Sequence, residues 1–125
     1  MLHTFLIFIG GGLGATARHF VGLAALRQFG PGFPYGTLTV NVAGSLIMGL
    51  FIGYLVQRGG NNELRLFFAT GVLGGFTTFS AFSLDVINLW ERGAHMPAVW
   101  YTLGSVVLCL FAVFAGFWLI RAVTG

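Results

Sequence analysis

Residues 74–82 read GGFTTFSAF: two glycines, three hydroxyl side chains and three phenylalanines in nine positions. Each glycine costs a helix about 1 kcal/mol relative to alanine, and the threonines and phenylalanines that follow are weaker helix formers. A helix interrupted here leaves main-chain carbonyls without partners in their own helix. Inside a membrane each such group costs several kcal/mol unless protein surrounds it. Carbonyls oriented by a break are a common way to hold a monovalent cation in a membrane. No acid lies within the stretch, so such a site has low field strength and suits Na⁺ better than Ca²⁺ or Mg²⁺. The same residues offer a second chemistry. Phe79 and Phe82 are three apart and share a face if helix resumes, and the rim of a phenyl ring is positive enough to face an anion. The Ser80 hydroxyl and the Asn41 amide can donate hydrogen bonds to the same ion.

Other polar residues fall on tracks. Thr37 and Asn41 are four apart, on one helical face. Tyr101, Ser105 and Cys109 follow the same four-residue spacing. Hydroxyls in membrane helices often bond their own backbone, but one helix cannot satisfy an asparagine amide. Arg18 is the one charge well inside the first apolar stretch. Polar groups at membrane depth are costly, which makes each of these a functional candidate.

The elements that must carry them are apolar spans. Hydrophobic residues make up 57% of the 125 residues and charged ones only 7%, against about a quarter charged in soluble domains. That is too little polar cover for a water-soluble sphere. Four stretches reach the roughly 20 residues that a spanning helix needs: 4–26, 37–57, 66–90 and 98–121. The expectation is an all-α membrane protein of four transmembrane helices, the third broken near 74–80, forming a single integral membrane domain over 1–125. The connections RQFGPGFPYG, RGGNNELR and ERGAHMP hold the prolines, the asparagines of the turn and most charges. Trp90, Trp100, Trp118, Tyr35 and Tyr54 fall near span ends, where interfacial aromatics sit. Gly10/Gly14, Gly49/Gly53 and Gly71/Gly75 place small residues at four-spacing in three spans, the signature of close helix contact.

Several function classes drop out. IGGGLGA fits G-x-G-x-x-A, but a dinucleotide site needs an acid about 20 residues on, and the first acid is Glu63. His3, His19 and His95 have no ligand spacing with Cys109, and no serine sits in G-x-S-x-G. With no extramembrane domain either, an enzyme is not expected. The six basic residues are all arginines and form no stripe, so no nucleic-acid partner is expected. The N-terminus lacks the basic region of a cleaved signal peptide.

Charge also bears on orientation. Arg58, Arg65 and Arg121 fall on one side of the membrane and Arg27 and Arg92 on the other, with Arg18 inside the first span. That balance gives the positive-inside rule little to act on. The expectation is dual topology and an antiparallel homodimer in the bilayer.

Through GGGLGATAR (10–18), GTLTVNVAG (36–44) and GVLGGFTTFSAF (71–82), in this order over nearly the whole length, the chain resembles the Fluc (CrcB) family of bacterial fluoride channels. The resemblance implies an antiparallel homodimer with two fluoride pores and a structural Na⁺ at the dimer centre. It implies backbone carbonyls of Gly74 and Thr77 as the Na⁺ ligands and Phe79 and Phe82 as pore phenylalanines. It further implies Asn41 as the pore amide, Tyr101, Ser105 and Cys109 as the polar track, and Arg18 near a vestibule. Thr37 and Ser80 complete the expected pore set. The family commonly reads TTFSTF where this chain has Ala81, and often has Ser where Cys109 stands. The implied function is passive, selective export of F⁻ across the bacterial inner membrane. The rival is a proton-coupled cation exporter of the small multidrug type, which needs a membrane-embedded carboxylate. No acid precedes Glu63, and the first span carries Arg18, which repels a cation. A structural subunit without transport is the third reading.

Overall fold

The computed structural model describes residues 1–124. It is all helical, with four helices long and apolar enough to cross a membrane: α1 (Leu2–Phe29), α2 (Tyr35–Gln57), α3 (Asn62–Glu91) and α4 (His95–Thr124). Each contains the span expected from the sequence and runs up to a few residues beyond it.

Turn chemistry sets their ends. Gly30 closes α1 at φ 77°, a left-handed conformation suited to glycine, and its N–H bonds the Leu26 carbonyl at 2.9 Å. Pro34 then precedes α2. The Asn61 side chain caps α3 by accepting the Leu64 N–H at 3.0 Å. Pro97 falls in the first turn of α4, where its missing N–H costs no helix bond.

The helices pair as α1 with α3 and α2 with α4, and glycine decides both seams. A Cβ on Gly14 would collide with the Val72 carbonyl oxygen, and one on Gly75 with the Gly11 carbonyl oxygen. On the other seam, Gly49 faces the Val113 carbonyl, Gly53 faces Ile120 and Gly116 faces the Leu46 carbonyl. The three glycine pairs of the sequence therefore mark two seams, with Gly10/Gly14 and Gly71/Gly75 on opposite sides of one. Between α3 and α4 a ring cluster takes over: Phe82, Leu89, Ala98 and Tyr101 are buried together beneath Phe33, Leu38 and Val86.

The third helix departs from regular geometry twice. Residues Arg65–Leu73 form a wide π-helical stretch, which spacing alone did not suggest. The break expected near 74–80 is present, but its glycines do not cause it. Gly74 and Gly75 are helical, in the turn Gly74–Phe76, and Gly75 serves the α1 seam. The chain becomes extended at Thr77 (φ −91°, ψ 158°) and Thr78 (φ −154°, ψ 123°), and helix resumes over Phe79–Glu91.

Candidate functional site: the interrupted third span

The break is held by side chains from two other helices. Asn41 on α2 uses its amide as a surrogate backbone. Its Oδ1 accepts the Thr78 N–H at 2.8 Å, and its Nδ2 donates to the Thr78 carbonyl at 3.0 Å. Arg18 on α1 donates from Nε to the Gly75 carbonyl at 3.0 Å. A guanidinium there also opposes the negative C-terminal end of the first half of α3. Thr78 then caps the second half, its Oγ1 accepting the Ala81 N–H at 3.1 Å.

These bonds decide which carbonyls are released. In a continuous helix the Thr78 N–H would bond the Gly74 carbonyl and the Ala81 N–H the Thr77 carbonyl. Asn41 takes the first donor and Thr78 Oγ1 takes the second. Gly74 and Thr77, the two residues implied as cation ligands by resemblance, thus lose their helical partners. Gly75 has Arg18 instead.

Beside the break lies a groove of about 300 Å³ whose lining includes Asn41, Ser45, Thr78, Phe79, Ser105 and Cys109, with Phe82 at its wall. Phe79 is 77% exposed while Phe82 is 8% exposed, with ring centroids 5.5 Å apart and planes 49° apart. The Ser105 Oγ is buried with no hydrogen-bond partner. The N-terminal end of the second half of α3 brings partial positive charge to the same edge. Hydroxyl, amide and ring-edge hydrogens with no carboxylate among these lining residues suit a small anion.

The other expected residues sit nearby in different surroundings. Ser80 is exposed, its Oγ 3.4 Å from Thr78 Oγ1. Thr37 and Arg18 line a second cleft together with Thr78. Thr37 also lines a third, at the mouth, with Asp85, Asn88 and Arg92. Thr37 is shared by the third cleft and the second, and Thr78 by the second cleft and the groove. Tyr101 lies outside the groove. It is 2% exposed, packed between Phe82 at 5.1 Å and Phe33 at 5.4 Å, and its hydroxyl donates to Asp85 Oδ2 at 3.0 Å. Asp85 is thus partnered by a phenol rather than an arginine. Arg92 instead donates to the Pro31 and Gly32 carbonyls, at 3.2 and 2.7 Å, tying the α1–α2 loop over the ring cluster. Several hydroxyls satisfy their own helices: Thr77 bonds the Leu73 carbonyl and Ser83 the Phe79 carbonyl.

Sequence reasoning passed over Ser45 and gave Thr78 no role. Ser45 is four residues after Asn41 and so extends its face. Thr78, three before Ala81 at the start of a helix, is a regular capping position.

Four helices long and apolar enough to cross a membrane, the third interrupted at mid-span beside a mostly apolar groove with a few polar groups, describe a multi-pass membrane protein. Comparison with known proteins makes this specific. The family described as CrcB-like protein, Camphor Resistance (CrcB), matches residues 5–117, and the chain belongs to this family. It is 55% identical over 122 residues to the fluoride-specific ion channel FluC of Mesorhizobium japonicum, covering 98% of each chain. It is 57% identical over 117 residues to that of Paracoccus denitrificans, covering 93% of each. With the channel of that name from Rhodopseudomonas palustris the identity is 55% over 120 residues, covering 95% of this chain and 97% of the relative.

Proposed function

We propose that this protein is a fluoride-selective channel that lets F⁻ leave a bacterial cytoplasm passively through the inner membrane, working as a dual-topology antiparallel homodimer with two pores. Relatives named as fluoride-specific channels, identical at more than half of aligned positions over nearly full length, support the substrate. The observation that carries the mechanism is the break itself, clamped by Asn41 beside the groove.

Fluoride is small and tightly hydrated, and losing its water is costly unless other donors replace it. The remaining Asn41 amide hydrogen, the hydroxyls of Ser45, Thr78 and Ser105, and the Cys109 thiol supply donors in sequence. Phe79 and Phe82 present ring edges where donors are sparse. Thr37 and Arg18 draw the ion from the mouth toward Thr78, and exposed Ser80 adds a hydroxyl at the break. Tyr101 acts from behind, holding Phe82 in place and engaging the Asp85 carboxylate. Neutral HF enters acid-stressed cells and dissociates at neutral pH, and a negative interior drives F⁻ out at about 2.3 kcal/mol per 100 mV.

The donor set at the break fits a Na⁺ ion: two neutral carbonyls without helical partners and no acid. Gly74 and Thr77 would hold it, with the same residues of a second copy. Such an ion supplies positive charge that joins the broken ends of two α3 helices. Only 11% of the apolar window of α1 and 28% of that of α2 are buried within one protomer. Phe79, Ser80 and Gly74 are exposed at the break, so a second copy there covers polar groups that lipid would not tolerate.

Proteoliposomes containing only this protein test the reading: F⁻ leaves and Cl⁻ is retained. Equal Cl⁻ and F⁻ release removes the selectivity argument, and no F⁻ release favours a subunit without transport. A reporter at the C-terminus gives signal on both sides of the membrane; signal on one side alone rules out dual topology.

A further inference from the structure

Away from the break, the outer face of the α2–α4 pair carries a groove of about 330 Å³ with no polar lining. Met48, Ile52, Val113, Phe114 and Trp118 form its walls, and Gly49 lets its floor lie against backbone. At its Trp118 end stands Arg121, whose guanidinium lies 5.4 Å from the Phe117 and Trp118 ring centroids. Arg58 lies at the same end of the pair, its guanidinium 5.2 Å from the Tyr54 centroid. The two ends are joined by the hydrogen bond between Thr124 Oγ1 and Gln57 Oε1. Among the described residues no carboxylate pairs with either arginine, and both are exposed. A guanidinium laid on a ring keeps its N–H edge free for a phosphate.

We propose that this groove is a binding site for an anionic phospholipid. One acyl chain lies along Ile52, Phe114 and Trp118, and the headgroup phosphate meets Arg121, with Arg58 beside it. Charge complementarity selects this occupant: an apolar channel ending in two unpaired cations at the ends of its helices matches one negative headgroup on an apolar tail. Zwitterionic lipid fills the same channel with less preference, because its ammonium stands near the arginines. Since the chain inserts both ways in the proposed dimer, each leaflet receives one such site.

Trp118 reports on the groove directly. In a Trp90→Phe, Trp100→Phe background it is the only tryptophan, and lipids brominated on the acyl chain quench it on contact. Purified protein is placed in phosphatidylcholine bilayers with increasing brominated phosphatidylglycerol or brominated phosphatidylcholine. The expected result is about fivefold enrichment of phosphatidylglycerol next to Trp118, from roughly one arginine's attraction to an anionic lipid. Arg121→Gln lowers that enrichment toward one while leaving quenching by phosphatidylcholine unchanged, which also reports that the groove is intact. Equal quenching by both lipids in the parent overturns the proposal, as does enrichment that survives Arg121→Gln. Quenching by neither lipid overturns it too, by showing that a second protein chain covers the face. No fluoride flux enters this readout, so its outcome is independent of the transport reading.

Discussion

The two halves of the third span pack by opposite rules. Residues 65–76 meet α1 backbone to backbone, through glycines on both sides, with no room for a single added carbon at Gly14 or Gly75. Residues 79–91 meet α4 through rings, with Phe82 against Tyr101 and Tyr101 against Phe33. The first half is fixed by what its residues lack, and the second by bulk that can shift. Between them Thr77 and Thr78 belong to neither helix, and Asn41 and Arg18 bridge the gap from two other helices. The lesson is that a break at membrane depth is held by rigid neighbours and hydrogen bonds from outside the broken helix, not by its own glycines.

Substitutions can break this contrast, and the largest effect belongs to the glycine seam. Gly14→Val drives a side chain into the Val72 carbonyl and forces α1 and α3 apart. The expected outcome is loss of the monodisperse peak on size exclusion after detergent extraction. Gly12→Val, where an added Cβ meets nothing within 4 Å, should behave as the parent. If the two variants behave alike, the seam is not what holds the first half.

Next comes the clamp. Asn41→Ala leaves the Thr78 N–H and carbonyl without their partner, at about 1–3 kcal/mol for each unpaired group. Thermal unfolding in detergent should fall accordingly, and fluoride release from liposomes should drop below detection. Asn41→Asp keeps the acceptor, loses the donor and adds a negative charge beside the groove. It should recover part of the stability and none of the flux.

The ring pair sharpens the comparison further. Phe79→Ile with Phe82→Ile should abolish flux while the dimer persists; retained flux at the parent rate rules out the ring-edge role. Taken singly, Phe82→Ile disturbs the packing with Tyr101 and should cost about 1–2 kcal/mol. Phe79→Ile, at a ring 77% exposed within its own protomer, should disturb the packing of that protomer less than Phe82→Ile does. The mildest expected effect on flux is that of Tyr101→Phe, which removes the hydrogen bond to Asp85 and keeps the ring stack. About 1 kcal/mol of stability is expected to go, with flux reduced but present.

Much of this architecture was legible in the sequence because its signals are local and additive. Long apolar runs gave four helices, and glycines at four-spacing gave close packing. GGFTTFSAF located a break to within a few residues. What was not legible depended on partners distant in sequence. Gly74-Gly75 reads as a helix breaker by propensity, yet α1 at Gly11 and Ala15 needs Gly75 inside a helix. The rupture moved to Thr77–Thr78, where hydroxyl capping makes it least costly. The wide turn over 65–73 has no periodic signature in so uniformly apolar a segment. Tyr101 shares helical spacing with Ser105 and Cys109, but Phe33 and Phe82 enclose it and Asp85 takes its hydroxyl, so it stands behind the groove that the other two line. Asn41 was visible as a costly amide; that it serves the backbone of Thr78 was not.

The central claim is that the rupture in α3, held open by Asn41, turns main-chain oxygens toward a second copy and borders the anion groove. A high-resolution map of the purified protein in lipid, prepared with NaF, tests it most directly. The account predicts extended chain at residues 77–78, two copies running in opposite directions, and one density shared by the Gly74 and Thr77 oxygens of both. Unbroken helix through 74–80 turned toward acyl chains, with nothing between the copies, would contradict it.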